Sequence, residues 1–250
     1  MLWRIIKWFF ILVGILALLT VGFVYWQLRT LKEAMRQDQP LAIAAVEAPP
    51  DARQALVQKA MEEAASSEHV IKLSGEHLTW ILSAVIRRPE VRQAIEQNGA
   101  QISSQVQDLP VGDFEHFRIE NFDLDRLKVK VSIEGDVLTL AGTMPYRNDD
   151  SHLNLSMSAA GSWQAGAGQL DPRTLVIGDE DLLDGMLTGG TLRTAIEEAA
   201  EQGFASIPPH QAAASPVERV EVKDGLLQLT MKPGTTQKVG LVMSRLLGGM

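Results

Sequence analysis

Cysteine is absent from this 250-residue chain. That absence excludes thiolate nucleophiles, Cys-ligated zinc and disulfides. Three further signatures are missing: a Gly-x-Ser-x-Gly nucleophile elbow, a phosphate-cradling glycine loop and a dinucleotide fingerprint. The five histidines (His69, His77, His116, His152 and His210) include no pair at the i, i+4 spacing that would put two metal ligands on one helix face. Basic charge is also short. Lys and Arg number 23 against 31 Asp and Glu, a net charge of −8, and the whole deficit falls beyond residue 38. Phosphate neutralisation needs clustered cations, so no nucleic-acid partner is expected. No internal repeat of solenoid period is found.

Two acidic groupings remain. Asp179, Glu180, Asp181 and Asp184 offer the crowded oxygens that Ca²⁺ prefers, but without the spaced ligands and glycine of a known loop. Helix-cap roles before Leu182–Leu187 explain them better. Asp123 and Asp125 lie on one face if their segment is a strand, and paired carboxylates can do acid–base work. No role-complete catalytic set accompanies them, so neither an enzyme, a cofactor nor a metal is expected.

Charge is missing altogether from Trp8 to Trp26. A helix of about 19 residues at 1.5 Å per residue spans about 28 Å, close to the hydrocarbon thickness of a bilayer. Trp3, Trp8, Tyr25 and Trp26 sit where interfacial aromatics would. The run is too long for a cleaved leader, and no small-residue cleavage site follows closely. A single-pass inner-membrane protein is expected, with the N-terminus inside and the acidic bulk of the chain outside the cytoplasm.

The remaining pattern divides the chain. Residues 1–38 read as a transmembrane anchor and juxtamembrane helix, 39–50 as a linker closed by Pro49–Pro50, 51–237 as an extracytoplasmic domain, and 238–250 as an apolar tail. A helix runs from Asp51 to about Ser66, carrying Leu56, Val57, Ala60, Met61 and Ala64 on one side. Ser74 caps a second helix whose Leu78, Ile81, Leu82, Val85 and Ile86 form one stripe at i, i+3, i+4, i+7 and i+8. After Leu109 the apolar period becomes two. Strands are expected at Leu127–Glu134, Val137–Ala141, Leu153–Ala159 and Arg173–Ile177, with a hairpin from Val220 to Met231 through Asp224–Gly225. Thr188–Phe204 reads as a helix. In the tail, Val239, Val242, Met243, Leu246 and Leu247 repeat the helical spacing. The expected class is α+β: an N-terminal transmembrane helix, then an antiparallel sheet packed with amphipathic helices.

The segment LSGEHLTWIL (Leu73–Leu82), the strand pair with Gly135–Asp136 and Gly142, and the run Leu175–Leu182 together resemble the YpmS-type family of bacterial membrane-anchored proteins. The helix at Thr188–Phe204 and the proline-rich loop after it depart from that pattern. By fold analogy the resemblance implies a tubular lipid-binding class that holds acyl chains in an elongated groove. The leading expectation is a membrane-anchored envelope domain that binds a lipid or other apolar ligand. Leu78, Ile81, Leu82, Val85 and Ile86 would line the groove. Val239, Val242, Met243, Leu246 and Leu247 would touch membrane lipid or an envelope membrane protein. A non-catalytic scaffold in a membrane assembly is the alternative, and an extracytoplasmic hydrolase the third. A plain packed core would account for the same apolar stripes. The pattern leaves oligomeric state open.

Overall fold

Serine at position 74 starts the most clearly determined helix. Its hydroxyl accepts from the His77 backbone N–H at 3.3 Å, and His77 Nδ1 accepts from the Ser74 backbone N–H at 3.3 Å. This is a capping box with imidazole in the usual place of Glu or Gln. The helix it opens lies in a computed structural model that describes residues 36–43, 48–93, 95–97, 121–164, 167–184, 189–205 and 215–247.

In chain order the elements are α1 (Pro50–Ala65), β1 (Val70–Leu73), α2 (Gly75–Ile86), β2 (Lys128–Glu134), β3 (Val137–Pro145), β4 (His152–Gln164), β5 (Ala167–Ile177), β6 (Glu180–Asp181), α3 (Gly189–Ala205), β7 (Val217–Lys223), β8 (Leu226–Met231) and α4 (Thr236–Leu246). All eight strands join one antiparallel sheet, β1-β8-β7-β4-β3-β2, with β5 and then β6 extending from β4.

The longest strand organises the sheet. Along one edge of β4, residues 155–164 pair with β5. Along the other, residues 152–160 pair with β3 and 162–164 pair with β7. Two hairpins, β2–β3 and β7–β8, therefore share that edge and meet tip to tip opposite Gly161. Their turns are joined by the Gly225 N–H donating to the Gly135 carbonyl at 2.9 Å. Positive φ at Asp224 (55°) and Gly225 (75°) gives the second tip the hairpin geometry its Asp–Gly pair favours. Pro172 stands beside the bulge where the β4–β5 register shifts and Arg173 goes unpaired, a position that tolerates a missing donor.

The two outer strands of this path are blunted by helices. Thr79 of α2 lies against β2: its hydroxyl oxygen accepts from the Val131 N–H at 2.8 Å and donates to the Gly75 carbonyl at 2.8 Å. Contact there is so close that a Cβ on Gly75 would sit 2.7 Å from the Val131 carbonyl oxygen. On β1, the Lys72 N–H donates to Glu63 of α1 at 2.8 Å. Helix side chains thus take up edge N–H groups that could otherwise template another strand.

Two buried clusters result. One joins α1, α2 and α4 to β1, β2 and β8, with Leu82, Val85, Met231, Val239 and Leu246 near its centre. The other joins Phe122, Tyr146 and the strands β3–β5 to α3 through Leu192 and Ile196.

The α+β antiparallel part of the expected fold class stands, but its membrane-spanning part is corrected. Among the described residues no helix is long and apolar enough to cross a membrane. The longest, α3, has 17 residues and carries Arg193, Glu197, Glu198 and Glu201, short of the apolar run of about 20 that a span needs. The expected span, Trp8–Trp26, lies outside the described residues. Single-pass topology, inner-membrane location and envelope placement are therefore not carried forward.

The stretch expected as a linker is tied down where it is described. Gln37 bridges His152 in both directions at 3.0 and 2.9 Å. The Asn154 amide donates to the Gln39 carbonyl at 2.9 Å, and Ile43 and Ala48 are buried.

Candidate functional site

Alternate residues of β4 share one face of the sheet and line a cavity there: Met157, Ala159, Gly161 and Trp163. The outer two are large and the inner two almost nothing, so a void forms between them. Gly161 must be small, since a Cβ there would sit 2.8 Å from the Gln169 carbonyl oxygen across the strand pair. The void, about 80 Å³, lies where the two hairpins meet. Hairpin β2–β3 contributes Val131, Leu138 and Leu140 to its wall; hairpin β7–β8 contributes Val220, Val222 and Leu227; Leu170 of β5 closes the floor. Val131 and Trp163 belong to the first buried cluster, Met157 and Ala159 to the second, and Leu170 packs against both. The cavity is a seam between two cores.

One residue of this lining carries a buried polar atom without a partner. Trp163 is 5% exposed, and its indole N–H meets no acceptor. A buried donor without a partner costs about 1–3 kcal/mol, and native folds rarely leave one without a reason. The only other polar lining side chains, Ser162 and Gln169, belong to exposed residues, and none of the thirteen lining residues is charged.

A second concavity, about 650 Å³, runs between α1 and α4. Val57, Met61 and Ala65 supply its apolar floor, while Arg53, Gln54, Gln58 and Glu62 stand along it. Gly240 brings α4 down onto Met61, which fixes the depth of the groove. It is larger than the seam cavity but open, and it holds no buried unpartnered group.

The expected groove stripe on α2 lies inside the first core: Leu78, Ile81, Leu82 and Val85 are buried, and Ile86 packs on them. None of these five borders either concavity. The tail stripe is buried likewise. Val239, Met243, Leu246 and Leu247 are each no more than 3% exposed, with Val242 packed beside them, and α4 lies along α1. Arg53 reinforces the contact by donating to the Ala48 carbonyl at 2.8 Å and the Leu247 carbonyl at 3.4 Å. Leu241, on the outer face of α4, is 55% exposed, the large apolar side chain left open among the described residues.

Other groups singled out in the sequence do local work. Asp123 caps a 3₁₀ turn (Leu124–Arg126) by accepting from the Asp125 N–H, and Asp125 pairs with Arg92. Asp181 accepts from the N–H groups of Leu183 and Leu175 at 3.0 and 3.2 Å. Among the described residues no cluster of three or more His, Asp or Glu could hold a metal ion. His77, half-buried beside Trp80, has its pKa pushed below the ordinary value by burial first and the charge of Lys59 second. That keeps Nδ1 free to accept in the capping box. His116 and His210 lie outside the described residues.

Sequence reading did not pick out Trp163. Its signal was the alternation Leu153, Leu155, Met157, Ala159, which continues through Gly161 to Trp163 but fades at two residues with weak strand preference.

No protein-family model, curated protein or solved structure matches the chain.

Proposed function

We propose that this domain is a binding module for a small, mainly apolar molecule held in the seam between hairpins β2–β3 and β7–β8. The expected role as a membrane-anchored envelope domain, lipid-binding or scaffolding, is withdrawn, because no described helix can supply the anchor. What remains stands on the seam cavity alone. One observation carries the reading: a cavity of about 80 Å³ walled by apolar side chains of two hairpins and β4. Small-molecule sites are mostly such apolar concavities.

The size of the void sets the size of the ligand. An engineered apolar cavity of about 150 Å³ accepts benzene, so 80 Å³ suits a smaller molecule or the end of a longer one. The half-exposed Leu138, Leu140, Val220 and Val222 at the mouth would cover whatever projects. Even the best tiny ligands gain at most about 1.5 kcal/mol per heavy atom, so binding of a five- or six-atom probe in the micromolar-to-millimolar range is expected.

Calorimetric titration of the full chain with pentane tests this. Saturable binding is expected, and Ala159→Leu, which fills the void, should abolish it while the melting temperature stays the same or rises. Ala159→Val, a smaller filler, should weaken binding without threatening the fold. Absence of saturable binding, or binding that both variants leave intact, would remove the proposal.

A further inference from the structure

Leucine at position 170 stands where two glycines leave room for it. Gly161 of β4 pairs directly with Leu170 of β5, and two residues along the ladder Trp163 pairs with Gly168. Side chains alternate along a strand, so these four positions share one face of the sheet. Leu170 therefore has a glycine opposite it and another two residues before it on its own strand. Its Cδ1 fills the gap, 3.4 Å from the place that a Cβ on Gly161 would take. Leu170 borders the seam cavity and packs against both buried clusters, yet it is only half-buried.

The void it borders measures about 80 Å³, roughly half the volume of an engineered cavity that accepts benzene. Ligands larger than this must divide between the void and its mouth. A chain does so by entering end first and leaving its remainder against the half-exposed Leu138, Leu140, Val220 and Val222. A ring has no end to insert. Resting on the reading proposed above, we infer that Leu170 sets ligand shape in the seam. With leucine there, the cavity takes the end of an unbranched aliphatic chain and excludes a saturated ring. Truncating a wall residue enlarges a cavity only as far as its neighbours fail to relax into the space. Gly161 and Gly168 have no side chains with which to do so, and the space given up by Leu170 stays open to a ligand.

The test titrates the full chain, Leu170→Ala and Leu170→Val with two hydrocarbon probes, pentane and cyclohexane, by calorimetry. In the wild type pentane should bind about tenfold more tightly than cyclohexane or better, because an oversized group in a close-packed wall costs at least that factor. In Leu170→Ala cyclohexane affinity should rise until the two probes bind alike. Continued pentane binding by that variant shows that its cavity is still formed. Leu170→Val, a smaller truncation, should shift the ratio in the same direction by less, and it decides the matter if the alanine variant fails to fold. Equal binding of pentane and cyclohexane by the wild type would overturn the inference and leave the binding reading standing. So would a preference for pentane that the substitutions leave unchanged. Absence of saturable pentane binding to the wild type would overturn both.

Discussion

Thr79 shows how much a single hydroxyl carries. It sits 3% exposed between α2 and the outer strand β2, and it takes the N–H that Val131 would otherwise bury unpaired. Thr79→Val keeps the shape and removes the acceptor. It should lower unfolding free energy by about 1–3 kcal/mol in urea titration, while Thr79→Ser should recover most of the loss. A Val variant as stable as the wild type would mean that this edge bond contributes nothing. His77 makes a second prediction at the same scale. Its folded pKa lies below its unfolded value, so the unfolded chain binds the extra proton more readily. The stability it contributes is full above the ordinary histidine pKa and is lost as pH falls through that value toward the lowered one. Nearby Glu76 and Glu63 oppose the shift, and burial and Lys59 outweigh them. His77→Gln keeps a side-chain acceptor that does not titrate. Stability of that variant should therefore vary less between pH 7 and pH 5 than the wild type's; equal slopes would remove the histidine from the account.

Elements show what a sequence discloses and what it hides. The stripe on α2 and the Asp224–Gly225 hairpin were legible because each rests on local rules: a serine cap, a period of 3.6, a pair of residues that tolerate positive φ. The tail stripe was equally legible as a helix, but its destination was not. Nothing in Val239, Met243 or Leu246 tells whether the partner is α1 or another molecule, because burial against a distant element leaves no mark in local spacing. The structure puts these side chains against α1. Leu246→Ala should accordingly cost about 2–5 kcal/mol. Leu241→Ala, on the exposed face of the same helix, should change stability by less than about 0.5 kcal/mol. If the two substitutions had equal effects in chemical denaturation, α4 would not be packed as described. Strand β4 was read too short for a related reason: its inward residues shrink to Ala159 and Gly161 where the cavity opens, so the alternation weakens at the site itself.

At the scale of the whole molecule, the seam is the consequence of topology. A 13-residue strand offers one edge to two hairpins in succession, and neither hairpin covers the point where they meet. This arrangement depends on residues more than fifty positions apart and is invisible to any local pattern. It also makes the site a joint property of both hairpins: a ligand there must touch Leu138 or Leu140 on one and Val220 or Leu227 on the other. The decisive measurement is a methyl-resolved NMR titration of the full chain with pentane, assigned at Leu138, Leu140, Met157, Val220 and Leu227, with Val57 and Met61 reporting on the α1–α4 groove. The account predicts saturable shifts with one common dissociation constant at methyls of both hairpins and at Met157, while Val57 and Met61 stay still. Shifts confined to Val57 and Met61, or none that saturate at the seam, would contradict it.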